Sequence, residues 1–465
     1  MTPPLSRWAR RVRRLAVALA VLGLAGLLTA PADARPRGSD ATTQEYLVVA
    51  DPQAKALHVY RASDHRRTGS LHDIAISTHG GTLPLPDGRL IVVDDANARV
   101  AAISISSRGK PRIVKSAVIP SSRWEGMTWG AADPSLRYLA FGGQPGDGVV
   151  SPIMVVDLDT FDISHHDLQL SPDGTGTAPE TQVYLAGNPL RLVMLGGSGF
   201  SSMLLSSFLG TEYLAGCPIG RPRCFPIKSG SNAPSGDGAH GPVVARDGSA
   251  VFTTTAKGFA GANVAERGLT DARRVAYSTD TRDIPNSFHP RLAADERMVW
   301  GAVTENPAVP VERWATARND VSIVDSATYD TRLVRVPDGK VSRLAISSTY
   351  AAVSTIHPEG DALTLLDADR DSATFGRIVG TVAIPSSTAG PVAGGSIVGT
   401  QPHFVTLDPD GRRAYVSNGG DGEVTVVDTE RRRVVGTIRT PTPLNDGGYL
   451  VVVKPGAPVH DLIPR

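Results

Sequence analysis

The sequence predicts an all-β protein built from repeated short strands. The chain holds 48 glycines and 35 prolines, which suit a fold with many turns. Short runs of alternating β-branched residues recur between these turns, as in half-buried strands. The pattern is clearest in Gln401–Thr440, where the runs HFVTL, RAYVS, EVTVVD and RVVGTI predict four strands. Such a unit cannot bury both its faces alone, so we expect copies of it to pack together.

The turns of this segment have the residues that tight turns need. Asp408–Gly411 reads Asp-Pro-Asp-Gly, with proline and glycine in an order typical of a β-turn. Asn418–Gly422 is rich in glycine and asparagine, which adopt positive φ at low cost. The local sequence therefore sets both where the strands end and how the chain reverses.

The same forty residues resemble the exported bacterial YVTN-repeat β-propellers. The name-giving motif stands here as Tyr415-Val416-Ser417-Asn418, preceded by P-H-x-V-x-x-x-P-D-G around His403 and followed by V-x-V-V-D-T. The resemblance implies a single β-propeller of four-stranded blades. It implies almost nothing about chemistry, because propellers host unrelated functions.

Repeats of the unit predict eight blades. Tyr46–Ala50, Ala56–Ala62 and Gly69–Ile76 form an N-terminal unit without a first strand, and Tyr449–Val453 is a lone strand that can complete it and close the ring. The other blades begin near His79, Glu125, Glu180, His240, His289, Arg343 and His403. Seven blades is the alternative, because the units at Glu180–Ser229 and Arg343–Pro385 are irregular.

The N-terminus predicts export. Five arginines precede the apolar run Leu15–Leu28, and an Ala-x-Ala motif ends at Ala34. This is the order of a signal peptide, and the run is shorter than the about 20 residues of a membrane span. We expect a signal peptide over residues 1–34, a disordered leader over 35–43, the propeller over 44–456 and a C-terminal tail over 457–465. The mature protein is then periplasmic or extracellular, by the general or the twin-arginine route.

Composition excludes several classes of partner. The net charge is +1 and no basic patch interleaved with aromatic residues occurs, which argues against nucleic acid. No phosphate-binding loop or dinucleotide fingerprint is present, so we expect no nucleotide cofactor. We predict a monomer without a stable membrane anchor, and a propeller face offers room for a protein partner.

Both cysteines lie in the segment CPIGRPRC. In an oxidising compartment Cys217 and Cys224 are expected to form a disulfide that closes a small loop. A two-thiolate metal or redox site is the alternative, although six intervening residues are not the spacing of such a site.

The candidate site follows from the first strands, which line the central channel of a propeller. The residues that begin them include metal-ligand types at His79, Glu125, Glu180, His240, His289 and His403. Imidazole and carboxylate groups suit zinc or copper. The series therefore predicts one zinc or copper ion, or another small ligand, at the channel rim.

A polar channel without a metal is the competing interpretation. Histidine before the first strand belongs to the repeat pattern, and each such histidine can bond to the backbone carbonyl of a neighbouring blade. Glu125 and Glu180 can be neutralised by Arg343 across the channel. Both interpretations rest on the same residues.

Three functions are compatible with this rim. The first is a non-catalytic exported binding protein. The second is an enzyme, either a metal-dependent hydrolase or lactonase with Glu125 or Glu180 as general base, or a copper oxidoreductase. The third is a cell-surface interaction scaffold that holds no metal.

Overall fold

The computed structural model describes the chain from residue 44 to residue 462 with gaps. The described residues are 44–51, 54–76, 81–121, 124–145, 150–169, 182–196, 199–210, 240–255, 258–277, 286–304, 311–386, 403–444, 449–459 and 462. They belong to one compact unit, Thr43–Arg465. The predicted signal peptide and leader, both cysteines, His79 and Glu180 lie outside the described residues. Within the described part, no helix is both long and apolar enough to cross a membrane.

The described residues form almost only β-strands, as the sequence predicts. In chain order the first strands are β1 (Tyr46–Asp51), β2 (Ala56–Arg61), β3 (Arg67–His72), β4 (Thr82–Pro84), β5 (Arg89–Asp94), β6 (Arg99–Ile105), β7 (Pro111–Val118), β8 (Trp124–Ala132), β9 (Tyr138–Pro145), β10 (Val150–Asp157), β11 (Ile163–Gln169), β12 (Gln182–Ala186), β13 (Arg191–Gly196) and β14 (Gly199–Leu204). The short helix α1 (Leu205–Leu209) follows, and a single 3-10 turn, Asp95–Asn97, lies between β5 and β6.

The second half continues the same repeat. It contains β15 (His240–Val244), β16 (Ala250–Thr255), β17 (Gly258–Ala265), β18 (Gly268–Ala276), β19 (Asn286–Leu292), β20 (Met298–Thr304), β21 (Asn319–Asp325), β22 (Thr331–Val336), β23 (Lys340–Ile346), β24 (Tyr350–Ile356), β25 (Ala362–Asp367), β26 (Ile378–Ala383), β27 (Val405–Leu407), β28 (Arg413–Asn418), β29 (Glu423–Asp428), β30 (Arg433–Arg439) and β31 (Tyr449–Val453). A second 3-10 segment, Val311–Thr316, precedes β21.

These strands pair into consecutive antiparallel meanders. Six sheets have four strands each: β4–β7, β15–β18, β19–β22, β23–β26, β27–β30, and β1–β3 with β31. A seventh sheet joins the meander β8–β11 to the meander β12–β14 through one parallel pair, Trp129 with Gln182. The lone C-terminal strand β31 pairs with β1, Tyr46 opposite Val453, as the sequence predicts.

In several meanders burial falls from the first strand to the last. β12 and β31 are buried along their whole length, whereas β7 and β30 are largely exposed. Strands buried on both faces read as continuous apolar runs, and YLVVV in β31 is one. The first strands of neighbouring meanders also contact one another, β12 with β15, β19 with β23 and β27 with β31 among them. The core therefore lies between the meanders, around their first strands.

Candidate functional site

The candidate site is built from residues at the beginnings of the first strands. These strands run in the same sense from meander to meander, so their beginnings lie at one end of the molecule, which we call the proximal end. Their last residues lie at the distal end. Of the six predicted ligands, Glu125, His289 and His403 have described side chains. His240 begins β15, its side chain lies outside the described residues, and so do His79 and Glu180.

Glu125 is exposed at the beginning of β8. Trp129 lies four residues further along the same strand, on the order of 10 Å away at the rise of an extended chain. The ring of Trp129 contacts the ring of His289, with centroids 6.2 Å apart. Glu125 therefore lies at the proximal beginning of β8, and the contact of this strand with His289 is made by Trp129.

His403 is fully buried and held at both ring nitrogens. Its Nδ1 lies 2.8 Å from the carbonyl oxygen of Ser417, and its Nε2 lies 2.7 Å from Oδ2 of Asp361 in the preceding sheet. A ring nitrogen that donates its proton to an oxygen has no lone pair left for a metal. In this arrangement His403 links two sheets, as the interpretation without a metal expects, and a metal would have to displace one of its partners.

The repeat motif itself explains this linkage. The backbone N–H of Phe404 donates to Oγ of Ser417 (2.8 Å), and Nδ2 of Asn418 donates to Oγ1 of Thr425 (3.2 Å). The serine and asparagine of the YVSN segment are fully buried. Buried polar groups need such partners, so the motif residues fix the first strand against the second and third.

His289 lies beside Arg343, which belongs to the neighbouring first strand β23. Nη1 of Arg343 lies 2.5 Å from Nε2 of His289. The same Nη1 lies 3.1 Å from Nδ1, so the guanidinium group contacts both ring nitrogens of His289. The predicted pairing of Arg343 with Glu125 or Glu180 stays a prediction, because Glu180 lies outside the described residues. A metal ion at Nε2 of His289 would have to replace the guanidinium.

Aromatic side chains complete the surroundings of this pair. The guanidinium of Arg343 lies over the ring of Phe404, 5.2 Å from its centroid, and Phe404 contacts Tyr449. Cation–π contact of this kind favours the charged guanidinium. We call Trp129, His289, Arg343, Phe404 and Tyr449 the axial cluster. Its members come from the first strands, or the residues just before them, of four meanders and of β31.

Burial destabilises the charged form of Arg343. It therefore lowers the pKa of this side chain to about 10, and the nearby Tyr449 opposes this shift. The side chain still carries its charge at neutral pH, within a largely apolar surrounding. A buried positive charge disfavours a cation in direct contact with His289.

The part of the chain that the structure describes holds no group of three or more histidine, cysteine, aspartate or glutamate side chains placed to bind a metal. The sequence missed Asp361, Phe404 and Tyr449 as members of this region. Their local sequence gives no signal, because each acts on a residue from another sheet. The proline-histidine pair before β27 does predict that His403 needs an acceptor, but not which one.

Comparison with known proteins shows the fold. No protein-family model matches the chain, and no curated protein matches it in sequence. Apo AztD from Citrobacter koseri superposes with a TM-score of 0.57 at 10 % identity, covering 88 % of this chain and 98 % of that one. The dihydro-heme d1 dehydrogenase NirN, in complex with DHE, gives 0.54 at 16 % identity, covering 92 % and 78 %. These neighbours are β-propeller proteins. The chain has a β-propeller fold.

A third neighbour has no assigned function. It is a protein from Desulfotomaculum acetoxidans, with a TM-score of 0.50, 10 % identity and coverage of 88 % and 99 %. Identities this low show the fold alone. In a propeller the first strands surround a central channel, and the axial cluster consists of residues in these strands or just before them.

Proposed function

We propose that this protein is an exported, non-catalytic β-propeller that binds a small ligand at the proximal end of its channel. The observation that carries the proposal is the buried pair of Arg343 and His289 on adjacent first strands. A charge kept inside a channel costs free energy that an apolar side chain would not, which is typical of a binding site. The signal-peptide pattern of residues 1–34 supports export.

The ring that presents this site is proposed to have eight blades. The meanders β8–β11 and β12–β14 count as two blades, and the pairing of β31 with β1 supports closure between the chain ends. Closure would leave no open edge on the first strands. The rigid strands then hold the rim residues in fixed positions.

The ligand we propose first is one zinc or copper ion. Its ligands would be His79, Glu125, Glu180 and His240, which begin successive first strands. His289 and His403 would act below them by holding the first strands in place, since their ring nitrogens already have partners. Arg343 beneath the rim would favour an anionic group as a further ligand of the ion.

A second candidate ligand is a small carboxylate or other anion that binds without a metal. The charge of Arg343 and its fixed position over Phe404 favour it. A guanidinium group offers paired donors to a carboxylate. If the ligand is a metal ion, His240→Ala should abolish binding. If it is an anion without a metal, Arg343→Met should abolish binding.

Metal analysis of the untagged protein, followed by calorimetric titration with zinc and with copper, tests the first candidate. We expect close to one ion per chain, and at least a hundredfold weaker binding in His240→Ala. The matched control is His72→Ala, an exposed histidine on the outer strand β3, which should bind as the unaltered protein does. Protein that takes up no ion, or a His240→Ala variant with unchanged affinity, would rule out the metal. Loss of anion binding in Arg343→Met with no metal present would support the second candidate instead.

A further inference from the structure

The chain continues past β31 as a short segment that crosses the distal end of the channel. We call residues Lys454–Val459 and Leu462 the C-terminal strap. The backbone N–H of Gly456 donates to the carbonyl oxygen of Pro86 (2.7 Å), before β5. The carbonyl oxygen of Leu462 accepts from the backbone N–H of Ala132 (2.7 Å), at the end of β8. The strap is thus tied to two blades other than its own.

A third tie comes from a side chain. Nη1 of Arg246, in the turn after β15, donates to the carbonyl oxygen of Val459. Nε of Arg246 also lies 4.0 Å from Oε1 of Glu296, in the turn after β19. All three ties hold main-chain groups of the strap, and they come from three different meanders, β4–β7, β8–β11 and β15–β18.

The strap is buried where it crosses. Val459 is 6 % exposed and Leu462 is 3 % exposed, although the sequence predicts a tail over residues 457–465. Both belong to the largest apolar cluster, together with Leu85, Val244 and Leu292. Leu292 and Val244 are the last residues of two first strands, so the strap packs on the distal ends of the channel strands.

A partly open cavity of about 110 Å³ lies against the strap. Its walls come from the distal ends of first strands, including Leu292, Ile346, Leu407 and Val452, and the strap contributes Ala457, Pro458 and Val459. The polar side chains in the wall include Ser347, Thr406, Asp408 and Lys454. A cavity needs roughly 10–15 Å³ of accessible volume to hold one water, so this space has room for several waters or a small organic group.

We infer that the C-terminal strap is a removable cover over one side of this distal cavity. The inference rests on the fold and its contacts and not on the proposed ligand at the proximal end. With the strap displaced, the cavity widens and can take a small molecule whose hydroxyl or amino group contacts Thr406 or Asp408.

The strap can be displaced without unfolding the propeller. Its attachment includes the apolar side chains of Val459 and Leu462, the packing of Pro455 on Gly88, the exposed ion pair of Lys454 with Asp410 and a few hydrogen bonds to main-chain groups. Together these amount to a small part of the stability of a domain. The pairing of β31 with β1 ends at Val453 and does not depend on the strap. Local opening of such segments occurs at lower free energy than global unfolding.

Chemical labelling of a thiol placed in the cavity wall tests whether the strap covers the cavity. Thr406 is 3 % exposed and lines the cavity, so a Thr406→Cys change in a Cys217→Ser and Cys224→Ser background places a thiol under the strap. Its rate of reaction with a small methanethiosulfonate reagent is compared in the full chain and in a chain that ends at Lys454. We expect at least tenfold faster labelling without the strap. Equal rates would overturn the inference.

A second thiol separates opening of the cover from unfolding. Ser322 is 1 % exposed in β21, in another blade and outside the cavity wall, and Ser322→Cys should label equally slowly in both chains. Arg246→Ala removes a single tie and should speed labelling at Thr406→Cys severalfold in the full-length protein. If truncation unfolds the chain, both thiols react faster and the Arg246→Ala comparison decides. An unchanged rate in that variant would then contradict the inference.

Discussion

The same strands carry hydrogen-bonded polar side chains at one end of the channel and packed apolar side chains at the other. At the proximal end, His289, Arg343 and His403 are buried polar groups, each held by a partner from another strand. At the distal end, Leu292, Leu407 and Val452 are apolar and lie under the C-terminal strap. Polar groups fix geometry through directional bonds, whereas apolar groups seal a space without demanding a direction. The comparison indicates fixed geometry at the proximal end and apolar packing against the strap at the distal end.

The largest expected effect tests the fixed geometry of the proximal end. Asp361→Ala removes the carboxylate that binds Nε2 of His403, and both side chains are almost fully buried. Loss of one partner of a buried pair leaves the other without compensation, so we expect a loss of about 3–5 kcal/mol in the free energy of unfolding. Urea denaturation followed by fluorescence measures it.

An exposed ion pair at the distal end provides the control for this change. Asp410 binds Lys454 at 2.7 Å, and its side chain is 53 % exposed. Asp410→Ala should cost no more than about 1 kcal/mol. If Asp361→Ala costs as little as Asp410→Ala, the buried pair does not fix the proximal end as described.

The second effect concerns Glu45, which lies near Lys454 at the beginning of the strap. Burial, and then the charge of Asp408, raises the pKa of Glu45 to about 7, and Lys454 opposes this shift. Between its ordinary pKa of about 4.5 and pH 7, the folded protein therefore binds more protons here than the unfolded chain. Stability contributed at this site falls as the pH rises through that window, so Glu45 costs stability at pH 8.

Glu45→Gln removes this cost. We expect the variant to be more stable than the unaltered protein by on the order of 2 kcal/mol at pH 8, and by well under half of that at pH 5. Thermal or urea denaturation at several pH values measures the difference. Glu430→Gln, in an exposed turn, is the matched control. A gain that stays constant from pH 5 to pH 8 would show that the raised pKa is not its cause.

The sequence predicted the local structure well and the contacts between blades poorly. In Gln401–Thr440 the predicted strands RAYVS and EVTVVD match β28 and β29 closely, because turn residues and alternation lie within the segment itself. The pairing of Tyr449–Val453 with the N-terminal unit also follows from counting strands. These features depend on neighbours in sequence or on the number of strands.

The axial cluster depends on information that no local pattern contains. Asp361 and His403 are 42 residues apart, and Arg343 and His289 are 54 apart. Which side chains meet depends on the twist and packing of whole blades, so the sequence indicated candidate polar groups and not their partners. The strap was missed for the same reason, since Lys454–Val459 has a sequence typical of a loop. The metal prediction at His79, Glu125, Glu180 and His240 stays a prediction.

The smallest expected effect tests how closely Pro455 of the strap packs against Gly88. Gly88 has φ +85°, and a Cβ atom there would lie 2.9 Å from Cγ of Pro455 in the strap. Gly456 has nearly the same backbone, φ +80°, but a Cβ there would meet no atom within 4 Å. Both Gly88→Ala and Gly456→Ala therefore carry the strain of a left-handed alanine, about 1 kcal/mol. Only Gly88→Ala also pushes against the strap.

We expect Gly88→Ala to lower the free energy of unfolding by roughly 1 kcal/mol more than Gly456→Ala does, or to speed labelling of the Thr406→Cys thiol severalfold if the strap yields instead. The ring of Pro455 is rigid and cannot rotate away, so one of the two must change. Equal stability together with equal labelling in the two variants would mean that Pro455 does not rest on Gly88. The distal end would then be closed by Val459 and Leu462 alone, and the contrast between a fixed proximal end and a sealed distal end would depend on those two side chains.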